Sequence, residues 1–136
     1  MENIISKYKG KGFKLTPQRI AILKFLEGNT SHPTADDIYQ EIRKGCPTVS
    51  FATVYNTLEA LSRRGELLEV TINPERKHFD PNHEPHHHIM CNVCKRIEDI
   101  FVDYSVGLKL PAHISEGFSV LGNHVDFYGI CKNCKS

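Results

Sequence analysis

The stretch SFATVYNTLEALSRRG, which begins at Ser50 and ends at Gly65, has the pattern of an amphipathic helix. Serine is a typical residue at a helix N-cap, and glycine is a typical residue just beyond a helix end. Val54, Leu58 and Leu61 recur at helical spacing and predict one buried face. This stretch therefore predicts a helix that packs by one face and presents the other to solvent.

The outward face of this helix carries side chains that can recognise DNA. Tyr55, Asn56 and Arg63 lie away from the apolar face when residues are placed at about 100° intervals. Asparagine can bind an adenine edge at two points, and arginine can bind guanine or phosphate. The same residues also fit an ordinary amphipathic helix with a polar surface, so the helix alone leaves both interpretations open.

The neighbouring segments favour the DNA-binding interpretation. Two further helices are predicted before this one, each beginning after a threonine N-cap, at Thr16 and Thr34. Strand-like runs then flank Asn73 and Pro74, which indicate a turn. Three short helices followed by a hairpin predict a winged helix-turn-helix.

The N-terminal stretch is basic although the whole chain has a formal net charge of only +1. Residues 1–24 set a single acid, Glu2, against six bases: Lys7, Lys9, Lys11, Lys14, Arg19 and Lys24. This imbalance suits an anionic partner, and Lys11, Lys14 and Arg19 are candidate DNA contacts. A solvated lysine-rich terminus would have the same composition.

The overall composition is that of a folded protein. The chain has 136 residues, of which 40% are hydrophobic and 24% are charged. Its apolar runs are too short to span a bilayer, and the first residues lack the apolar segment of a signal peptide. We therefore expect a cytoplasmic protein without a membrane segment.

The second half of the chain changes character and predicts an α+β fold overall. HHHIM, RIEDIFV and HVDFYGIC resemble strands, and the segment around Pro111 is a weak candidate for a short helix. We expect a winged-helix domain over residues 1–80, a hinge over 81–85, and a second domain over 86–136.

Four of the five cysteines form two C-x-x-C pairs, Cys91 with Cys94 and Cys131 with Cys134. This spacing predicts a structural zinc ion held by four thiolates. A dithiol redox pair is the alternative, although it needs only one such pair. Cys46 stands apart and fits a half-buried apolar residue or a loop thiol.

A second metal site is suggested by the histidines before the first C-x-x-C pair. In a strand, His86 and His88 share one face, and His87 points away. Counting outward from the cysteine pair of an antiparallel hairpin places His86 opposite Asp99. Two imidazoles and a carboxylate suit iron, manganese or zinc. A surface patch of histidines remains the alternative.

Six motifs together resemble the ferric uptake regulator family of bacterial metal-dependent repressors: LTPQR, HPTADDIY, SFATVYNTL, HFD, HHHIMCNVC and YGICKNC. The resemblance runs from Leu15 to Cys134. It implies an N-terminal winged helix, a C-terminal α/β dimerisation domain, and a homodimer on a pseudo-palindromic operator in double-stranded DNA.

The resemblance is greatest to the peroxide-responsive members of that family. It implies structural Zn²⁺ at the four cysteines and regulatory Fe²⁺ or Mn²⁺ at five ligands: His32, Asp80, His86, His88 and Asp99. Hydrogen peroxide would then be the signal, with His32 and His86 as the oxidation targets. Iron-responsive relatives usually have glutamate in place of Asp80 and Asp99, and tend to have arginine in place of Asn56.

Two consequences follow from that resemblance. A metal ion held by both halves of the chain would fix the angle between them and so control DNA binding. Some relatives have a further metal site that needs an acid near the position of Val106. Of the ligands for that site this chain retains only His87 and His124, so we expect the site to be incomplete.

Other functions remain open at this level. A repressor that responds to iron, manganese, zinc or nickel without oxidation would need the same residues. A zinc hydrolase or deaminase belongs to a different class. The cysteine site is closed, and the H-E-x-x-H match from His83 to His87 contains Pro85, which disfavours the helix that this motif requires. We therefore expect a regulator and not an enzyme.

Overall fold

The computed structural model describes residues 7–8 and 12–135, which belong to two compact units, Met1–His83 and Glu84–Ser136. These are called the N-terminal and C-terminal units. Helices dominate the first and a small sheet dominates the second, so the α+β class predicted from the sequence is confirmed. The hinge role of residues 81–85 stays a prediction.

Three helices build most of the N-terminal unit, and each begins at a side-chain cap. They are α1 (Pro17–Leu26), α2 (Ala35–Gly45) and α3 (Phe51–Arg63). The capping side chains of Thr16, Thr34 and Ser50 each accept a hydrogen bond from a backbone N–H in the first helical turn. These bonds satisfy N–H groups that have no partner within the helix, which explains why the helices begin where the sequence predicts.

The helices enclose one hydrophobic core. Val54, Leu58 and Leu61 of α3 are buried there, together with Ile22 of α1 and Ile38 of α2. Full burial of one such side chain contributes about 1.5–3 kcal/mol, so these residues fix the rotation of α3 about its axis. The opposite face of α3 is therefore held toward solvent.

A two-stranded antiparallel sheet completes the N-terminal unit. Strands β1 (Leu68–Val70) and β2 (His78–Asp80) pair with Leu68 opposite Asp80. The turn between them includes Asn73, whose side-chain oxygen accepts a hydrogen bond from a backbone N–H two residues later. All residues of β2 are buried, so its last residue, Asp80, is a buried carboxylate.

The C-terminal unit is built on a three-stranded sheet. Its strands are β3 (His87–Cys91), β4 (Ile97–Ile100) and β5 (Asp126–Gly129), arranged in the order β4-β3-β5. Strands β3 and β4 are antiparallel, whereas β3 and β5 are parallel. The long connection to β5 contains one short helix, α4 (Ala112–Ser115). None of the helices in the described ranges is long and apolar enough to cross a bilayer.

The pairing of β3 with β4 corrects one sequence prediction. His88, and not His86, is the backbone partner of Asp99. The turn explains this difference. The backbone N–H of Cys91 donates to the carbonyl of Arg96, so the centre of the hairpin lies one residue C-terminal to the midpoint between Cys91 and Cys94. The resulting shift is two residues, which preserves the alternation of faces. Asp99 therefore still faces both histidines.

Candidate metal centres and nucleic-acid interface

The four paired cysteines lie together in the C-terminal unit. Their sulfur atoms all lie within 4.8 Å of one another, and the Sγ atoms of Cys94 and Cys131 are 3.8 Å apart. Zinc bonded to four sulfurs at about 2.3 Å places any two of them about 3.8 Å apart, by tetrahedral geometry. The arrangement therefore fits a closed tetrahedral zinc site.

Backbone hydrogen bonds prepare these thiols for a metal ion. The backbone N–H of Cys131 donates to Sγ of Cys91 at 3.3 Å and, with other N–H groups nearby, lowers the pKa of Cys91 to about 6. The pKa of Cys134 is raised to about 12, mainly by its hydrogen bond with Cys131. Four adjacent thiols cannot all ionise unless a cation is present, so this group as a whole favours a divalent ion.

The fifth cysteine has a different role. Cys46 is the C-cap of α2, where its backbone N–H donates to the carbonyl of Ile42, and its side chain packs against the N-terminal core. It lies in the other unit from the four paired cysteines. Cys46 is therefore a partly buried packing residue, and it provides a matched control for the zinc ligands.

A second donor group lies in the C-terminal unit, with His86 immediately before β3, His88 on β3 and Asp99 on β4. The Nε2 atoms of His86 and His88 lie 2.7 and 3.2 Å from the same carboxylate oxygen, Oδ1 of Asp99. The two imidazoles are fully buried or nearly so. Two histidines and one carboxylate are the donor set typical of non-haem ferrous sites that keep open positions.

The hydrogen bonding of His86 shows which of its nitrogen atoms can bind a metal. Its Nδ1 lies 2.7 Å from the backbone carbonyl of Glu84. A carbonyl only accepts, so Nδ1 carries a proton. Nε2 lies 2.7 Å from Oδ1 of Asp99, a separation at which the two atoms share either a proton or a bound cation. A metal ion bound to both atoms would take the place of that proton, so Nε2 is the nitrogen of His86 that can bind a metal.

The N-terminal unit contains a separate histidine–carboxylate pair. Nε2 of His32 lies 3.3 Å from Oδ2 of Asp80, and these side chains are only 2% and 1% exposed. His32 has a positive φ of 53°, which is uncommon for a residue with a side chain. Its carbonyl accepts a hydrogen bond at 2.6 Å from Nδ1 of His78 on β2, the strand that also carries Asp80. The loop before α2 is thus tied to β2, which holds the pair together.

His87 and His124, considered together from the sequence, have different contacts. Nδ1 of His87 accepts a hydrogen bond from the backbone N–H of Val125, which gives this ring a structural role. His124 instead lies in a donor group with His88 and Asp126. Sequence reasoning missed Asp126, because its position beside His88 depends on parallel pairing between residues far apart in the chain.

The candidate DNA-reading residues of α3 are exposed as predicted. Tyr55, Asn56 and Arg63 all lie on the solvent face, and Arg63 makes an exposed contact with Glu59 at 3.5 Å. Sequence reasoning missed Phe51, which is also exposed and stacks on Tyr55 with ring centroids 6.3 Å apart. The face therefore combines hydrogen-bonding groups with aromatic surface.

The basic residues before α1 and in its first turn are arranged in two ways. Lys14 is exposed, whereas Arg19 donates to the carbonyl of Lys14 at 3.0 Å and places its guanidinium over the ring of Phe13. Arg19 thus holds the segment that carries Lys14. Lys11 lies outside the described residues, and its predicted contact with DNA remains a prediction.

Comparison with known proteins identifies the class to which this fold and these sites belong. Residues 10–128 match the model of the ferric uptake regulator family. The chain belongs to the ferric uptake regulator family.

Several relatives are similar over almost their whole length. The peroxide-responsive repressor PerR of Staphylococcus epidermidis is 36% identical over 99% of this chain and 90% of its own. Among solved structures, the iron-containing ferric uptake regulator of Francisella tularensis has a TM-score of 0.81 at 28% identity, covering 94% of this chain and 98% of its own. The peroxide stress regulator of Campylobacter jejuni has a TM-score of 0.67 at 32% identity, covering 98% and 100%.

The cysteine geometry predicts that Cys131→Ser will release zinc and unfold the C-terminal unit. The expected loss is large, because structural zinc contributes apparent binding free energies of roughly 10 kcal/mol or more in small modules. Elemental analysis and thermal melting measure the two effects. Cys46→Ser is the control and should keep its zinc. A Cys131→Ser protein with the zinc content and melting temperature of the parent would contradict the assignment.

Proposed function

We propose that the protein is a metal-dependent transcriptional repressor that senses hydrogen peroxide. The observation that carries this proposal is the convergence of His86 and His88 on one oxygen of Asp99 in a buried site. Such a site would hold a ferrous ion beside oxidisable imidazoles. The similarity to repressors named as peroxide-responsive supports the same conclusion.

The proposed metal content is one structural Zn²⁺ and one regulatory Fe²⁺ or Mn²⁺ per chain. The four cysteines provide sulfur ligands that suit zinc, whereas the histidines and aspartates provide nitrogen and oxygen ligands that suit iron or manganese. We propose that the regulatory ion binds five side chains: His32, Asp80, His86, His88 and Asp99. Neither unit supplies all five, so a single ion would join them.

This division of ligands provides a mechanism for control. An ion bound by side chains of both units restricts the arrangements that the units can adopt. It favours DNA binding in proportion to its higher affinity for the arrangement that fits the operator. Coupling free energies of this kind are typically about 1–3 kcal/mol, so loss of one ligand is enough to change operator occupancy.

Peroxide sensing follows from the chemistry of the ligands. Ferrous iron, when bound, supplies the electron that cleaves the O–O bond of hydrogen peroxide. We propose that His32 and His86 are the side chains that become oxidised. Overall, an imidazole gains one oxygen atom from the peroxide and the other leaves as water. An oxidised imidazole is a weaker ligand, so the ion is lost and the repressor leaves the DNA.

DNA recognition is assigned to α3 and to the basic residues before α1 and in its first turn. Tyr55, Asn56 and Arg63 are proposed to enter the major groove and read base edges. Lys11, Lys14 and Arg19 are proposed to bind or support contacts to phosphates, which contribute affinity without sequence preference. Such a regulator would act in the cytoplasm, where its operator lies.

A homodimer is proposed because the C-terminal unit exposes many apolar side chains. Its described buried hydrophobic residues are only Met90, Cys91 and Ile97. Large apolar side chains that it leaves exposed include Phe101, Val106, Phe118, Leu121, Tyr128 and Ile130. Large apolar side chains exposed in this number are unfavourable in water, and a second copy of the same unit would bury them. Two-fold symmetry then matches a pseudo-palindromic operator.

Two alternatives make different predictions. A repressor that responds to iron, manganese or zinc alone would keep its histidines intact in peroxide. A zinc hydrolase or deaminase would need an open position on its zinc ion, and the cysteine site offers four ligands for a four-coordinate ion. We therefore favour a regulator over a zinc hydrolase or deaminase.

Peroxide treatment of the iron-loaded protein should oxidise His32 or His86. The expected product gains the mass of one oxygen atom in the corresponding peptide, and operator binding is lost. Mn²⁺ should support DNA binding and protect both peptides, because it is much harder to oxidise. Mass spectrometry after a low dose of peroxide, with anaerobic loading, measures the difference. Intact histidines and intact operator binding in the iron protein would instead support a plain metal-responsive repressor.

Asn56→Ala should relax base preference at one position of each half-site. The expected loss of discrimination is about 1–3 kcal/mol, the range for a bidentate amide–base contact. Lys14→Ala is the matched contrast. Loss of a phosphate contact weakens binding to all DNA sequences alike, and it reduces the slope of log affinity against log salt concentration by about 1. Binding measurements across operator variants and salt concentrations separate the two. If Asn56→Ala distinguished operator variants as well as the parent does, Asn56 would not be a base-reading residue.

Charges placed on the exposed apolar surface should prevent dimerisation. The double change Phe118→Asp and Leu121→Asp affects side chains that are 70% and 99% exposed in the single chain. In a monomer these changes would cost little, whereas in a dimer interface they would bury unpaired charges. Sedimentation of the zinc-loaded protein measures the outcome, with Phe51→Asp in the other unit as the control. A monomeric parent, or a dimeric double variant, would contradict the proposed interface.

A further inference from the structure

His88 lies between two carboxylates across the sheet of the C-terminal unit. Its backbone partners are Asp99 on the antiparallel strand β4 and Asp126 on the parallel strand β5. Side chains of directly paired residues project from the same face of a sheet, so all three belong to one row. Asp99 serves the proposed metal site, which leaves the role of Asp126 to be explained.

His124 occupies the position between His88 and Asp126. Its Nε2 lies 3.3 Å from Nδ1 of His88 at hydrogen-bonding geometry, and its Nδ1 lies 3.3 Å from Oδ1 of Asp126. The two nitrogens of His124 thus face a ring on one side and a carboxylate on the other. The three residues form a chain that leads away from Asp99.

We propose that His124 and Asp126 are positioning residues for the regulatory metal ligand His88. This inference rests on the proposed function. Asp126 favours a proton on Nδ1 of His124, so that Nε2 of His124 is the acceptor. Nδ1 of His88 then donates to it, and Nε2 of His88 keeps its lone pair toward Asp99 and the metal ion.

The neighbouring ligand supports this assignment. His86 has its Nδ1 proton fixed by the backbone carbonyl of Glu84 at 2.7 Å. Nδ1 of His88 faces His124, so a side chain takes the place that a backbone carbonyl has beside His86. Hydrogen bonds of this kind orient a ligating imidazole and increase its basicity.

His124 is assigned a positioning role and not a ligand role because of the electron pairs that His88 has available. A neutral imidazole offers one lone pair, and the proposed regulatory ion uses the pair on Nε2 of His88. A second ion held by His88, His124 and Asp126 would need another lone pair on Nδ1 of His88, and therefore a doubly ligating imidazolate. A hydrogen bond to His124 requires only a neutral ring.

The test measures Mn²⁺ affinity of the full zinc-loaded protein by competition with a chelating dye. His124→Ala and Asp126→Ala should raise the Kd for Mn²⁺, by about 10–100-fold for His124→Ala, the range for loss of such outer partners. His124→Gln should recover most of the affinity, because its amide can accept from His88 and donate to Asp126. His113→Ala, on exposed α4, is the control and should bind as the parent does.

A second measurement separates positioning from ligation. The visible spectrum of Co²⁺ in the regulatory site should keep its band positions in His124→Gln, because no ligand has been changed. Zinc content and melting temperature like those of the parent show that each variant is folded. Shifted Co²⁺ bands, or a His124→Gln affinity as weak as that of His124→Ala, would make His124 a ligand and overturn the inference.

The remaining outcomes are also decisive. Parent-like Mn²⁺ affinity in His124→Ala would overturn the inference while leaving the proposed function intact. Two Mn²⁺ ions per parent chain, reduced to one in His124→Ala, would replace it with a second metal site. A parent that binds no Mn²⁺ would remove the proposed function, and the inference with it.

Discussion

A neutral imidazole has one nitrogen that donates and one that accepts, and the metal-binding half of this protein is organised around that constraint. A histidine can bind a metal through one nitrogen only if its other nitrogen has somewhere to place a proton. The carbonyl of Glu84 serves this purpose for His86, and we assign the same role to His124 for His88. Both Nε2 atoms can then converge on one oxygen of Asp99. The sheet supplies the directions, since β3 carries His88, His86 immediately precedes that strand, and β4 returns the carboxylate of Asp99 to the face of His88.

The cysteine site and the histidine site are chemically separate but structurally linked. Cys91 ends β3, and Cys131 follows β5 after one residue, so a zinc ion there would join adjacent strands at one end of the sheet. The same turn that carries Cys91 and Cys94 sets the pairing of β3 with β4. A zinc ion that holds this turn therefore also holds Asp99 opposite His88. Loss of the structural metal would be expected to disturb the regulatory site although the two share no ligand.

Short-range signals in the sequence were sufficient for much of this architecture. The caps at Thr16, Thr34 and Ser50 act within one helical turn, and the C-x-x-C pairs place two ligands in one local turn, so the helices and the cysteine group were predicted correctly. The register of β3 and β4 was wrong by two residues because the cysteine spacing does not reveal where the turn closes. Asp126 was missed because its proximity to His88 depends on a parallel pairing across 37 intervening residues. His32 and Asp80 were expected only through resemblance to a known family, since the loop that carries His32 has no periodicity to interpret.

The alternation of faces along β4 has a consequence for how such a site can diverge. If one residue were inserted between Cys94 and Asp99, both cysteine pairs would keep their spacing, yet β4 would slip by one position against β3. Asp99 would turn to the opposite face, and the place opposite His88 would pass to its neighbour, Glu98. The metal site would exchange a short acid for a longer one without the substitution of any side chain. The length of this turn thus determines which carboxylate binds the metal. A single inserted codon could change the regulatory site while leaving the zinc ligands unchanged.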